Sequence, residues 1–177
     1  MKMKMKMVLS LMVILVTLTG CFSKGSKNAD TTPLQTAPTT SSSDFKLSER
    51  EQEVYNNFQK DLNEQQLKGL EPISIAKLYV QARLDNKNDV VYALYTDKSG
   101  YVQWSKEEDK KIPSSDRGTK EQILETFGNI EKGKFVQTSD FEGYIEYQSS
   151  KEANSKSGFN MIKDDDGIWN VSFKPIQ

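Results

Sequence analysis

Apolar residues crowd the start of the chain, then almost vanish, and return further on in two different rhythms. Val8 to Leu18 is an apolar run interrupted only by Ser10 and Thr17. Phe22 to Phe45 is built from Ser, Thr, Ala and Asn with Pro33 and Pro38, and is nearly free of aliphatic residues. At Ser48 the pattern becomes helical. Ser48 and Glu51 have the spacing of a capping box, and Val54, Tyr55, Phe58 and Leu62 recur at helical intervals, predicting a helix to about Leu67 that Gly69 stops. Pro72 suits the first turn of a second helix, with Ile75, Leu78, Tyr79 and Ala82 as its apolar stripe. Asn86-Lys87-Asn88 breaks the chain, Asp89 can cap, and Val90 to Tyr95 predict a short third helix. A turn over Asp97 to Gly100, a short strand at Tyr101 to Trp104 and a charged loop from Ser105 to Arg117 are expected next. Thr119 with Gln122 then opens a helix carrying Ile123, Leu124 and Phe127.

The last third changes period. Lys134 to Thr138, Gly143 to Ser149, Gly158 to Lys163 and Ile168 to Lys174 alternate as strands do, and Asp166-Gly167 is a hairpin signal between the last two. Trp169, Val171 and Phe173 alternate with Asn170, Ser172 and Lys174, so one sheet face is expected to be buried and the other wet. Helices followed by an antiparallel meander make the α+β class, with N-terminal helices packed on the sheet.

The apolar run near the start is about half of the roughly 20 residues a spanning helix needs, and Lys2, Lys4 and Lys6 precede it. A basic flank and a short apolar core read as a secretory signal. Leu18-Thr19-Gly20-Cys21 then resembles the bacterial lipobox: Leu three positions before a Cys, with small residues between. The resemblance implies cleavage after Gly20 and a diacylglyceryl thioether on Cys21, which becomes the acylated N-terminus. It also implies a place on the extracytoplasmic face of the cell membrane, held by the lipid. One chain anchors marginally at about 0.8 kcal/mol per buried methylene, and two or more anchor firmly. The organisation expected is a signal over 1–20, a lipidated Cys and disordered linker over 21–46, and one folded domain over 47–177. A flexible linker of about 24 residues reaches roughly 25–30 Å, which holds that domain clear of the headgroups.

Composition narrows the chemistry. The chain has no His, and Cys21 is its one cysteine. That excludes imidazole bases, Ser-His-Asp and Cys-His nucleophiles, a disulfide framework and a thiolate metal cluster. No metal and no cofactor is expected. Loss of the three signal lysines leaves 21 basic residues from 24 against 25 acidic ones, about −4 in all, which is no footprint for nucleic acid.

The run Glu71 to Arg83, the segment Asp89 to Tyr95, and Gly167-Ile168-Trp169-Asn170-Val171 resemble the NTF2-like (cystatin-like) superfamily. In that family a Pro-led helix with Tyr and Ala on one face precedes a short helix ending in Leu-Tyr, and a Gly-x-Trp-x-Val strand closes a curved sheet. The resemblance spans about Glu71 to Gln177 and implies a cone with a pocket between sheet and helices. Many tethered extracytoplasmic lipoproteins of Gram-positive bacteria are similar. Enzyme members hold in that pocket either a His-Asp pair, impossible here, or a carboxylate with a phenol.

Tyr79, Tyr92, Tyr95 and Tyr144 supply phenols, and Trp104 and Trp169 are further pocket candidates. Glu142 and Glu146 are acids on or near a strand and share a face with Tyr144, alternating with Ile145 and Tyr147; the sequence leaves open which face is inward, and the two acids are read as solvated. Asp164-Asp165-Asp166-Gly167 lacks the ligand spacing of a calcium loop and reads as a solvated turn. Lys106 to Lys111 reads as an exposed charge run. The expected function is a membrane-anchored, non-enzymatic module that binds a small ligand or a partner protein. A carboxylate/tyrosine isomerase or hydratase, and a structural or assembly protein of the envelope or spore, are the alternatives.

Overall fold

The computed structural model describes residues 45–150 and 155–176. The signal, Cys21 and most of the linker expected from the sequence lie outside the described residues.

Five α-helices precede or roof four strands: α1 (Glu49–Asp61), α2 (Pro72–Leu84), α3 (Asn88–Ala93), α4 (Lys106–Asp109) and α5 (Lys120–Phe127), then β1 (Lys134–Gln137), β2 (Glu142–Tyr147), β3 (Ser157–Lys163) and β4 (Trp169–Ile176). The strands form one open antiparallel sheet in the order β1-β2-β3-β4, so the chain is α+β.

The expected caps form. Ser48 and Glu51 exchange the two hydrogen bonds of a capping box on α1, and Thr119 and Gln122 do the same on α5. The first helix stops earlier than Leu67. Leu62 takes a left-handed conformation (φ 56°) and donates its N–H to the Phe58 carbonyl, and a 3-10 turn, Glu64–Leu67, follows. That turn tucks Leu67 into the core. α2 departs from a simple amphipathic stripe. Ala76, Lys77 and Val80 are buried as well as Ile75, Leu78, Tyr79 and Ala82. A helix buried on nearly every side runs through the domain centre, and α2 packs against α1, α3, α5 and the sheet.

The core joins Tyr55 and Phe58 of α1, the buried face of α2 and Phe127 of α5 to the inner sheet residues Ile145, Tyr147, Phe159, Met161 and Val171. Gly143 is required here. A Cβ at that position would lie 2.5 Å from Phe135, whose ring instead reaches Trp169 at 4.9 Å between centroids. The free edge of β4 is partly closed by the chain leaving α3, through Thr96 N–H to Val171 O (3.0 Å) and Val171 N–H to Leu94 O (2.8 Å). The pairing of β3 with β4 shifts between Phe159 and Met161, which bends the sheet end next to Pro175.

Two sequence expectations fail between α3 and α5. Tyr101 to Trp104 is irregular rather than a strand, because its backbone finds no sheet edge. Ser105 to Arg117 is no plain loop. Ser105 and Glu108 form a third capping box on α4, and a 3-10 turn covers Ser114–Arg117.

Candidate functional site

Residues 97–118 form a cap laid over the junction of α2, α3 and β4, and one aromatic side chain anchors it. Trp104 packs edge-on against Phe173 of β4 (centroids 4.7 Å apart) and Tyr95 (5.8 Å). Tyr95 in turn stacks on Phe173 at 4.6 Å. Tyr92, behind them, donates its hydroxyl to the Trp104 carbonyl at 3.1 Å. These contacts place four aromatic rings from α3, the bridge to β4, the cap and β4 itself in one cluster.

The rest of the cap is held by charge. Asp109 is the one fully buried cap residue, 4% exposed. Its Oδ1 accepts from Trp104 Nε1 (3.3 Å) and its Oδ2 from an Arg117 terminal nitrogen (2.9 Å). The same Arg117 nitrogen donates to the Asp109 carbonyl, and Arg83 of α2 donates to the Arg117 carbonyl at 2.6 Å. The reading of Lys106 to Lys111 as wholly exposed is therefore corrected at Asp109. α4 turns that side chain inward while Glu107, Glu108, Lys110 and Lys111 stay in water.

Beneath this bracket lies a cavity of about 140 Å³, with Tyr79, Tyr95, Trp104, Arg83, Asp109 and Arg117 in its walls. Tyr79 and Tyr95 share one hydrogen bond, 3.2 Å between hydroxyl oxygens. Burial, with Tyr79 alongside, pushes the Tyr95 phenol far above its ordinary value, so it stays a neutral hydrogen-bonding group. The Arg83 guanidinium lies 5.8 Å from the centre of the Tyr79 ring and 5.5 Å from that of Phe127. The cavity shares Asn86, Asn88, Asp109, Ile112 and Arg117 with a wider surface groove of about 740 Å³. Lys60, Lys87, Lys106 and Lys110 stand along that groove.

Three of the expected pocket residues, Tyr79, Tyr95 and Trp104, thus meet at one cavity, with Tyr92 packed behind its wall. Tyr144 faces elsewhere, in a shallow groove of about 420 Å³ with Tyr101 and Glu142. Trp169 packs against Phe135, with Lys163 over its ring at 5.1 Å. Glu142, Tyr144 and Glu146 share the half-exposed face of β2, and Gly143, Ile145 and Tyr147 the buried one. Glu142 accepts from Tyr101 and Glu146 pairs with Lys156. The inner face of the sheet offers no carboxylate to the phenols among the described residues. Leu18, Thr19, Gly20 and Cys21 lie outside the described residues.

Arg83, Asp109 and Arg117 were not among the sequence candidates. The spacing Tyr79 to Arg83 puts both on one side of α2, and Ser105-x-x-Glu108 announces the helix that buries Asp109. Asp164 is a second correction. Asp165 to Gly167 form the exposed turn expected, but Asp164 is buried and accepts from Thr96, from the Asp97 N–H (3.2 Å) and from Asn170 (2.9 Å). Asn170 also donates to Glu64. Burial pushes the Glu64 and Asp164 carboxyls up, against the opposing pull of these hydrogen bonds. Among the described residues no group of three or more acidic or Cys side chains has the geometry to hold a metal ion.

No family model, no curated protein and no solved structure matches this chain. No described helix is long and apolar enough to cross a membrane.

Proposed function

We propose that this chain is a lipid-anchored protein of the extracytoplasmic membrane face whose domain is a non-enzymatic binding module for a small ligand. Cys21 carries the lipid, residues up to about 46 form the tether, and the domain is a cone of the NTF2-like kind. The cavity under the cap carries this reading. It lies between α2, α3 and the cap rather than against the sheet, is walled by aromatic rings and guanidinium groups, and opens to a groove along the surface.

The polar groups around it favour holding over reacting. Both oxygens of Asp109 already accept hydrogen bonds, and the two phenols bond each other. A general base needs a free acceptor within reach of the substrate proton. Apart from Asp109 and the exposed Asp116 at its mouth, the lining offers donors and flat apolar walls.

Two measurements test the proposal together. Cells fed labelled palmitate should incorporate it into the wild-type chain and not into Cys21→Ser, and the wild-type protein should leave membranes only with detergent. A screen of acidic, basic and neutral ring-sized compounds against the full-length protein should yield ligands that raise its melting temperature and change Trp104 fluorescence. An unlabelled chain that washes off in plain buffer overturns the anchor. A Trp104 signal indifferent to every compound overturns the module.

A further inference from the structure

Asn170 holds two carboxylates at once. Its side chain is fully buried on β4, and its amide nitrogen donates to Glu64 of the 3-10 turn before α2 and to Asp164 of the β3–β4 turn. No ion pair among the described residues includes either acid. The Lys98 ammonium goes to Asp165, and Lys163 lies over the Trp169 ring. Asp97, at the start of the cap, and Asp166, in the turn, add further negative charge around Glu64. Two like charges on one buried amide repel, and one proton between them removes the repulsion.

The hydrogen-bond inventory has a place for that proton. Asn170 Oδ1 is buried and has no donor among the described residues. Asp164 is well supplied, by the Thr96 hydroxyl, the Asp97 N–H and Asn170, whereas Glu64 accepts from Asn170 alone. Glu64 is therefore the acid whose charge has the weaker support. As a carboxylate it only accepts; with a proton it also donates. Two acceptors for it, the Asp164 carboxylate and Asn170 Oδ1, flank the amide nitrogen it already touches.

The cluster stands at a hinge. Thr96 and Asp97 lead from α3 into the cap, and Asp164 holds both. Thr96 Oγ1 accepts in turn from the Lys98 N–H (3.1 Å), and the Gln65 amide reaches Asp166 (2.9 Å). Residues 64–65, 96–98 and 164–170, distant in sequence, thus meet at one pair of acids.

We propose that Glu64 and Asp164 share one proton and form an acid-tightened clasp that fixes the first hinge of the cap. With the proton on Glu64 the pair carries a single charge, which stays on Asp164 and faces its donors from Thr96 and Asp97. As pH rises the proton leaves, two charges face each other across Asn170, and the hinge loosens. Burial raises both carboxyls, so the sign agrees. The clasp is complete below the unfolded carboxylate range and is lost as pH rises through the raised folded values. It works whether or not the cavity holds a ligand.

Amide hydrogen exchange of the full-length protein in detergent tests the clasp, read from pH 7.5 down to pH 5 and divided by the intrinsic rate at each pH. Protection of the Asp97 and Lys98 amides should rise at least three-fold on acidification, while protection in α5 changes by less than about two-fold. Glu64→Gln imitates the protonated acid and should hold the acid level of protection across the range. Asp166→Asn keeps an acceptor for the Ile168 N–H (3.0 Å) and removes one neighbouring charge. It should move the midpoint of the rise to lower pH, which a role in packing alone would not do, and it decides the matter if Glu64→Gln does not fold. Protection of Asp97 and Lys98 that is flat with pH, or a rise that persists in Glu64→Gln, overturns the clasp. So does a rise shared equally by α5, or a midpoint that Asp166→Asn leaves in place.

Discussion

Lys77 and Glu51 are the most exacting place to test the packing of this domain. Lys77 lies mid-way along α2 on a helix that is apolar nearly all round, and its ammonium meets the Glu51 carboxylate of α1. The side chains are 11% and 9% exposed. Glu51 also accepts from the Ser48 N–H (2.7 Å) and the Ser74 hydroxyl (2.8 Å), so one carboxylate caps α1 and clamps it to α2. Lys77→Met keeps the volume and removes the cation. Breaking a buried pair from one side costs about 3–5 kcal/mol. Two neutral donors remain on Glu51, so about 2–3 kcal/mol is expected. An unfolding entropy of about 2 cal/mol/K per residue over a domain of about 130 residues converts that into roughly 7–11 °C of melting temperature.

The same substitution should weaken the pH response of Glu51. Burial raises its carboxyl, and Lys77, with the Ser48 and Ser74 donors, outweighs burial and holds it below the ordinary value. In the wild type its contribution is therefore present above the unfolded carboxylate range and lost as pH falls through the depressed folded value. Without Lys77 the strongest pull against burial is gone and the folded value moves up, so the variant loses less on acidification than the wild type. The deficit of Lys77→Met, measured by urea unfolding at pH 7 and again near pH 4.5, should shrink. Glu51→Gln with Lys77→Met should recover most of the loss, because the pair is then replaced rather than broken. A deficit below about 1 kcal/mol at pH 7, or one that grows on acidification, would falsify the buried clamp.

Two further substitutions probe polar groups that the fold tolerates at a cost. The Tyr147 hydroxyl is buried with no partner among the described residues, and burial alone pushes the phenol up to about 12. Tyr147→Phe should therefore gain about 1 kcal/mol in denaturant unfolding, and a loss of similar size would reveal a partner for the hydroxyl. Glu64 and Asp164 share the Asn170 amide, and burial raises both carboxyls, so their favourable state is the protonated one and stability is lost as pH rises above the unfolded carboxylate range. Glu64→Gln, which keeps an acceptor for Asn170, should be more stable than the wild type at pH 7 and lose that advantage by pH 4. An advantage independent of pH would place its cause outside the carboxyl.

Local patterns predicted what local patterns control. Each capping box that the sequence spelled out at Ser48 and Thr119 formed, and so did the Asp-Gly turn, because cap and turn chemistry depends on residues three or four apart. The alternation of Trp169, Val171 and Phe173 found the buried positions Val171 and Phe173, with Trp169 half-buried, but Asn170, expected on the wet face, is fully buried by its bonds to Glu64 and Asp164. What escaped was decided by contacts distant in sequence. The α2 stripe was read too narrowly because burial on several faces comes from α1, α3, α5 and the sheet together. Asp164 passed for solvent-exposed because Thr96, its hydroxyl partner, lies 68 residues away. Arg83 and Arg117 were not among the candidates, since their meeting needs a cap that folds back across 34 residues.

That cap also has an energetic character unlike the domain beneath it. In residues 97–118 the one fully buried side chain is Asp109, a charged residue, and the one large aromatic inserted is Trp104. Segments with few buried apolar contacts and many solvent-exposed polar ones open at a fraction of the global unfolding free energy. The helices and sheet below share a continuous apolar core and do not open so cheaply. Opening the cap therefore means releasing the Trp104 insertion, the Arg117–Asp109 bracket and the Tyr92 and Arg83 hydrogen bonds, while the walls from α2 and α3 stay in place. A ligand that fills the closed cavity binds the closed arrangement better than the open one, so it should slow hydrogen exchange across 97–118 and leave exchange in α2 almost unchanged. Uniform slowing across both would mean that the ligand stabilises the whole domain and that the cap is no separate unit.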